Sequence, residues 1–259
     1  MRQQAIVEMI TEGAGAAIST IAATCDVSEE TVRRDLLQLE KDGVIRRVYG
    51  GAIPADRKAP IAERLASGHR EKEAIARLVS KIVTADQWVF ITGGSTTIAI
   101  AQQLRNGPPL KVMTNMHAIA EALQGGEHKV ILTGGEYVAS SGCMAGAEVI
   151  AAIAQCTFDL SIVGIYGFDP DHGLVELDRY HQDLKRTLIE HSRETVFVGD
   201  NTKFGALGRY CSVPLSKIKT IVSDRRPMGR VADVLEHAGV SILTPDERGG
   251  PVHLKEVRS

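Results

Sequence analysis

Four cysteines, Cys25, Cys143, Cys156 and Cys211, are all the chain carries. None stands at C-x-x-C spacing and none is partnered by histidines, so neither a zinc site nor a disulfide framework is indicated. The 259 residues contain no segment of signal-peptide type and no apolar run long enough to cross a bilayer. A soluble, cytoplasmic chain with no membrane partner is therefore expected. A net charge of −2 excludes a global pull towards nucleic acid or membrane. Internal repeats and low-complexity tracts are absent, as are a Walker motif and G-x-G-x-x-G, and no cofactor or metal is expected. What is present, 44% hydrophobic and 24% charged residues, suits a globular chain of one or two domains.

The most informative stretch is Val27–Gly51, V-S-E-E-T-V-R-R-D-L-L-Q-L-E-K-D-G-V-I-R-R-V-Y-G-G. Ser28 is a good N-cap, and Glu29 and Glu30 put negative charge at the positive end of the helix that follows. Val32, Leu36 and Leu39, at spacings of four and three, make one apolar face, with Arg33 and Arg34 off it. Gly43 supplies a left-handed stop, and V-I-R-R-V-Y then reads as a short strand turning at Gly50-Gly51. A polar-faced helix followed by an arginine-bearing ribbon suits a major groove and the adjacent backbone. The alternative is a solvated face, because Glu29–Arg33 and Glu30–Arg34 are i,i+4 pairs. Over residues 1–58 eight basic residues face nine acidic ones, so only their clustering on helix and ribbon favours DNA. Upstream, Gln3–Thr11 reads as a helix through Ile6, Met9 and Ile10, and Ala14–Ala17 as a small-residue turn. A second helix capped by Ser19, with Ile18 as staple, runs to Cys25. Asp26-Val27 is a tight turn into the third helix. The pattern predicts a winged helix-turn-helix over 1–58.

Ala52–Pro60, with Pro54, Pro60 and D-R-K between them, has the texture of a linker, and 59–67 leads into a second domain. A helix is predicted from Arg70, with Ile75, Leu78, Val79 and Ile82 on one face. The second domain spans 68–245, and residues 246–259, polar and interrupted by Gly-Gly-Pro, read as a flexible tail. Between Trp88 and Pro245 seven near-continuous apolar runs alternate with helical segments, as in a parallel sheet covered on both faces. They are W-V-F-I-T, L-K-V-M-T-N, K-V-I-L-T-G-G, F-D-L-S-I-V-G-I-Y-G, T-V-F-V-G-D, T-I-V-S-D and S-I-L-T-P. Thr92-Gly93, Asn115, Thr133-Gly134, Gly199-Asp200 and Asp224 then gather at the carboxyl edge, where open α/β sheets bind ligands.

Thr92–Thr97, T-G-G-S-T-T, closes a strand and opens a helix. Its glycines allow close backbone approach, its amides and helix dipole favour an anion, and Ser95, Thr96 and Thr97 add hydroxyls. A phosphate monoester fits, and an ordinary Gly-Ser turn is the alternative. Gly134-Gly135-Glu136 is either a sugar contact or a turn, and Ser140–Gly146 either a cover loop or a connection. Lys185 either reaches a phosphate or snorkels, and Lys203, in D-N-T-K-F-G after a strand end, is the better-placed cation, with a plain surface lysine the alternative for either.

These blocks resemble the deoxyribonucleoside-regulator (DeoR) family of bacterial transcription regulators. The resemblance is carried by V-S-E-E-T-V-R-R-D-L and the G-G-A that closes the ribbon. It continues through E-K-x-x-I-A near Glu73, T-x-G-S-T-T, Thr114-Asn115, Gly134–Glu136, F-D-L-S-I-V-G and D-N-T-K-F-G. Glu176–Ser192 looks more loosely like the branch containing glycerol-3-phosphate repressors. The resemblance implies that Ser28, Thr31, Arg33 and Arg34 face DNA, with Arg46 or Arg47 on phosphate. It also implies an effector domain related to ribose-5-phosphate isomerases. Gly94, Ser95, Thr96 and Thr97 would hold phosphate there, with Asn115, Gly135, Glu136, Lys185 and Lys203 lining the rest. Three positions depart from the pattern: Thr92 replaces an acid, Tyr166 a small or polar residue, and His181 a glutamate.

Two functions follow. One is a repressor-type regulator, a homodimer or homotetramer that binds a double-stranded DNA operator and is released by a phosphorylated sugar or polyol. The other is a sugar-phosphate isomerase, which needs a general base at the substrate carbon. With Thr92 in place of the acid, and with Val27–Gly51 unexplained by an isomerase, the regulator is preferred.

Overall fold

The computed structural model describes residues 2–12, 16–41, 44–48, 50–54, 60–206 and 208–245. Gly43, the first residues of the turn before Ala16, the D-R-K of the linker and the tail from Asp246 lie outside them. The chain divides into two compact units, Met1–Glu63 and Arg64–Ser259.

The first unit contains α1 (Arg2–Glu12), β1 (Ala16–Ala17), α2 (Ile18–Cys25), α3 (Glu29–Lys41), β2 (Ile45–Val48) and β3 (Gly51–Pro54). Ile6 and Ile10 of α1, Ile21 of α2, and Val32, Leu36 and Leu39 of α3 close one core with Ile45 and Ala52. Ser28 caps α3, its Oγ accepting the Thr31 amide at 3.3 Å. Asp26 makes the preceding turn in the left-handed region, φ 50°, which a short polar side chain tolerates. β2 and β3 form an antiparallel hairpin with Val48 opposite Gly51, and β3 pairs on its other side with β1. This is a winged helix-turn-helix.

Three local expectations are corrected. Ala16–Ala17 is strand rather than turn. Ala17, without a side-chain cap, precedes α2 in place of Ser19, because the Gly50 carbonyl accepts the Ile18 amide at 2.8 Å and the ribbon sets the helix start. Ala52–Pro54 is the return strand of the wing and not linker. Gly50 has φ +77°, whereas Gly51 is needed for closeness: a Cβ there would lie 2.3 Å from the Ala16 carbonyl oxygen.

The short helix α4 (Ile61–Leu65) leads to the second unit, which begins with α5 (His69–Val79). Its main sheet contains β4 (Trp88–Ile91), β5 (Lys111–Thr114), β6 (Lys129–Leu132), β9 (Phe158–Gly164), β12 (Ser192–Val198), β14 (Thr220–Val222) and β15 (Ser241–Leu243). All neighbours are parallel, in the order β15-β14-β12-β9-β4-β5-β6. These seven strands are the seven apolar runs. Helices α6 (Ser95–Leu104), α7 (His117–Ala122), α8 (Ala147–Ala154), α9 (Arg179–Glu190) and α10 (Arg230–His237) cover the sheet. Phe90, Val163, Phe197 and Ile221 share a core with Val149, Ile153, Leu184, Leu188 and Leu235 of α8, α9 and α10. Ile75 and Val79 of α5 and Ile100 and Leu104 of α6 are buried outside that cluster. Two small antiparallel elements lay outside the sequence expectation. One is the hairpin β7 (Glu136–Val138) with β8 (Cys143–Ala145), whose second strand falls within the expected cover loop Ser140–Gly146. The other joins β10 (Gly167–Asp169), β11 (Gly173–Glu176) and β13 (Tyr210–Val213). Among the described residues no helix is long and apolar enough to cross a membrane.

Candidate functional site

In the N-terminal unit, the first turns of α3 present Ser28, Arg33 and Arg34 on the exposed side, with Thr31 half-buried. The Ser28 and Thr31 hydroxyls lie 2.9 Å apart. Arg33 is 2.8 Å from Glu29, and Arg34, with its side chain 80% exposed, is 3.7 Å from Glu30. These are the expected i,i+4 pairs, weak enough to be exchanged for phosphates or bases. On the wing, Arg47 donates from backbone and side chain to Glu40, both at 2.8 Å, and joins the ribbon to the end of α3. Arg46 is half-buried on the same strand. Sequence reasoning overlooked Asp35. It is buried in α3 and takes a bidentate fork from Arg2 of α1, at 2.7 and 3.1 Å. A carboxylate on the apolar side of an otherwise regular amphipathic helix was the available signal. The fork holds the Arg2 pKa above its ordinary value.

In the C-terminal unit the sheet order reverses between β4 and β9. The chain runs from β4 outward through β5 and β6, then returns to the other side of β4 with β9. Ligands of doubly wound sheets bind outside the carboxyl ends at such a point. Thr92, after β4, accepts the Gly164 amide from the end of β9 on its hydroxyl at 3.0 Å, bridging the two strands. Gly93 donates its amide to Asn115 Oδ1 at 2.9 Å. A Cβ on Gly93 would lie 2.2 Å from Cys143 Sγ, so only glycine fits beneath the hairpin. Gly94 is the N-cap of α6, in extended conformation. The Ser95, Thr96 and Thr97 amides, in the first turn, have no acceptor within the helix. Thr97 is fully buried, and its hydroxyl donates to the Gly94 carbonyl at 2.9 Å. Ser95 and Thr96, each 8% exposed, lie in the same first turn.

Around this turn the other expected residues separate into groups. Asn115 is 1% exposed. Besides accepting from Gly93, its amide lies 3.0 Å from the Met144 carbonyl and 3.2 Å from the Tyr180 hydroxyl. It therefore fixes the shape of the turn. Tyr180, unforeseen, reaches from α9 to donate to the Met144 carbonyl at 2.8 Å, and burial pushes its phenol well above the usual value. Its spacing of four from the buried Leu184 was the signal. Gly135, with φ +103°, approaches the hairpin closely: a Cβ there would lie 2.5 Å from the Ala145 carbonyl oxygen. Glu136 is exposed at the start of β7. Lys185 is buried and ion-paired with buried Glu176, joining α9 to β11. Lys203 lies 3.5 Å from Asp200, after β12.

Burial raises the Asp200 carboxyl pKa, but Lys203 and hydrogen bonds from Thr202 outweigh it and hold the group below its ordinary value. A carboxylate depressed in the folded state stabilises above its unfolded pKa, and that stabilisation is lost as pH falls through the folded value. Lys203→Met therefore removes the cation, lets the folded value rise, and is expected to move the acid-unfolding midpoint to higher pH. Circular dichroism across an acid titration reads this. An unshifted midpoint would mean that Lys203 does not act on Asp200.

Residues 2–58 match the family described as DeoR-like helix-turn-helix domain, and residues 67–225 match DeoR C terminal sensor domain. The chain is 32% identical over 237 residues to the glycerol-3-phosphate regulon repressor of Escherichia coli strain K12, covering 90% of this chain and 94% of that one. It is 28% identical to the HTH-type transcriptional repressor GlcR of Bacillus subtilis strain 168, over 89% of this chain and 90% of that one. Among solved structures, ribose 5-phosphate isomerase A of Methanocaldococcus jannaschii aligns with TM-score 0.37 and 13% identity, over 51% of this chain and 53% of that chain. eIF2B beta of Chaetomium thermophilum aligns with TM-score 0.46 and 14% identity, over 66% of this chain and 59% of that chain. The chain belongs to the DeoR family and is a transcriptional regulator rather than an enzyme, with a DeoR-like helix-turn-helix domain ahead of a DeoR sensor domain.

Proposed function

We propose that this regulator represses an operon for carbohydrate or polyol catabolism and leaves its operator when a phosphorylated sugar or polyol binds. Residues 1–58 form the DNA-binding domain, 59–67 the connection, and 68–245 the effector domain. In this reading Ser28, Thr31, Arg33 and Arg34 enter the major groove, while Arg46 and Arg47 take backbone phosphates. The observation that carries the effector reading is the α6 N-terminus at the β4/β9 switch point, with Gly93 and Gly94 before it and Ser95 and Thr96 in its first turn. Amides, dipole and hydroxyls there suit a phosphate monoester. Lys203, after β12, supplies a cation, Asn115 shapes the turn, and Gly135 and Glu136 offer the polyol end. Lys185 acts through Glu176. The name of the Escherichia coli relative makes glycerol 3-phosphate the first compound to try. A homodimer or homotetramer binding paired half-sites gives the ligand its leverage, by favouring an arrangement that opposes operator spacing.

A thermal-shift screen of phosphorylated sugars and polyols tests the reading, since a compound selective for the folded chain raises its Tm. Ser95→Ala combined with Thr96→Ala should keep operator binding within about twofold of wild type, as expected for substitutions remote from the DNA. The same variant should lose release by whichever compound raises the wild-type Tm. Undiminished release would move the ligand elsewhere in the sensor domain.

A further inference from the structure

β6 is an edge strand of the main sheet, and among the described residues no strand pairs with its outer side. The Lys129 and Thr133 amides donate inward, to the Leu110 and Thr114 carbonyls, at 2.9 and 3.1 Å. Successive residues of a strand turn their backbone groups to opposite sides, so those of Val130 and Leu132 point outward. Burial also runs out here. Phe90, Met113 and Ile131 stand in register on one face of β4, β5 and β6, yet their exposures are 0%, 6% and 36%. Tyr137, beyond Gly134 and Gly135, is 59% exposed. Open backbone beside uncovered apolar side chains is a template for another strand. Charge selects which strand. At the amino end Lys111 and Lys129 stand in register and exposed, and like charges side by side repel. At the carboxyl end are exposed Glu136 and, at the start of α8, exposed Glu148. An edge positive at one end and negative at the other is complementary to itself when turned round, as a two-fold axis requires. A lysine ordinarily guards an edge against pairing, but an antiparallel copy answers it with glutamate.

We propose that the β6 edges of two copies of this chain pair antiparallel about a two-fold axis at Ile131, joining two seven-stranded sheets into one. This rests on the homo-oligomer of the proposed function and gives that oligomer a surface. In this register Val130 and the partner's Leu132 exchange both of their outward hydrogen bonds, and the axis repeats the exchange. Ile131 and the partner's Ile131 form the intervening non-hydrogen-bonded pair, with Cα atoms about 4.5 Å apart, and cover each other. The lysine end of each edge meets the glutamate end of the other. β6 neighbours β5, the strand that ends beside Asn115, so the pairing surface and the α6 turn belong to the same sheet.

Sedimentation velocity on the full-length chain tests it. Wild type is expected to run as a dimer or tetramer, and Ile131→Lys, which sets two cations against each other at the axis, should halve that mass. Lys129→Glu should weaken association roughly tenfold, because the axis applies the change twice and places acid against acid. Lys129→Glu combined with Glu136→Lys restores opposite charges and should regain the wild-type mass. Ile131→Cys should give a disulfide-linked dimer on mild oxidation, beyond anything that the wild-type chain with its own four cysteines forms. An assembled wild type, with Ile131→Lys at the same mass and no new cross-link in Ile131→Cys, would overturn this surface and leave the oligomer to another. A monomeric wild type would overturn both. The cross-link decides the outcome even if Ile131→Lys fails to fold.

Discussion

Arg34→Ala is expected to weaken binding to a selected operator by roughly 5- to 150-fold, the equivalent of about 1–3 kcal/mol for a lost base contact. Its folding stability should stay within about 0.5 kcal/mol of wild type, as for other exposed substitutions. Arg34 suits this test because its side chain is 80% exposed and its Glu30 partner lies at 3.7 Å. A DNA phosphate or a guanine edge displaces such a pair at small cost, because exposed ion pairs contribute little. Operators enriched from a random pool by the wild-type chain remove the need to know the regulated gene. Gel-shift titrations at two salt concentrations then separate the possible roles. A phosphate contact lowers affinity uniformly across sequences and flattens the salt dependence, whereas a base contact relaxes preference at one position. Unchanged affinity and unchanged preference would return Arg34 to the status of a solvated helix residue.

The second large effect is expected at Lys185. Its side chain is 3% exposed and that of its partner Glu176 is 2% exposed. Removing one member of a buried pair strands the other without compensation, which typically costs about 3–5 kcal/mol. Lys185→Met should therefore lower the denaturant midpoint strongly. Lys185→Met with Glu176→Leu should recover most of the loss, because two apolar side chains of similar size leave no buried charge. Urea titrations of the single and double variants read both outcomes. If Lys185→Met were as stable as wild type yet unresponsive to phosphorylated compounds, Lys185 would be a ligand group whose pairing with Glu176 is incidental.

These two lysine and arginine positions show how far the sequence could be read. The seven strands were legible because parallel strands covered on both faces carry continuous apolar runs, and their parallel alignment gathers Thr92, Asn115, Asp200 and Asp224 at one edge. The recognition helix was legible from the spacing of Val32, Leu36 and Leu39. The commitment of Lys185 to Glu176 was not, because it depends on β11, a four-residue strand in a small separate sheet. The β7–β8 hairpin was missed for a similar reason: its strands are three residues each, and Glu136 and Tyr137 are exposed. Lys72 stood inside a recognised E-K-x-x-I-A block. Only the fold, however, turns it back onto the Arg64 and Ser67 carbonyls.

The fork from Arg2 to the buried Asp35 ties the reading helix to the first helix, and the Arg47 amide donating to Glu40 joins it to the wing. A head whose three helices and ribbon share one core presents its DNA-facing residues as a unit. If two such heads are joined in the proposed oligomer, control becomes a matter of where each head is carried, and operators differing only in half-site separation should reveal it more sharply than operators differing in bases.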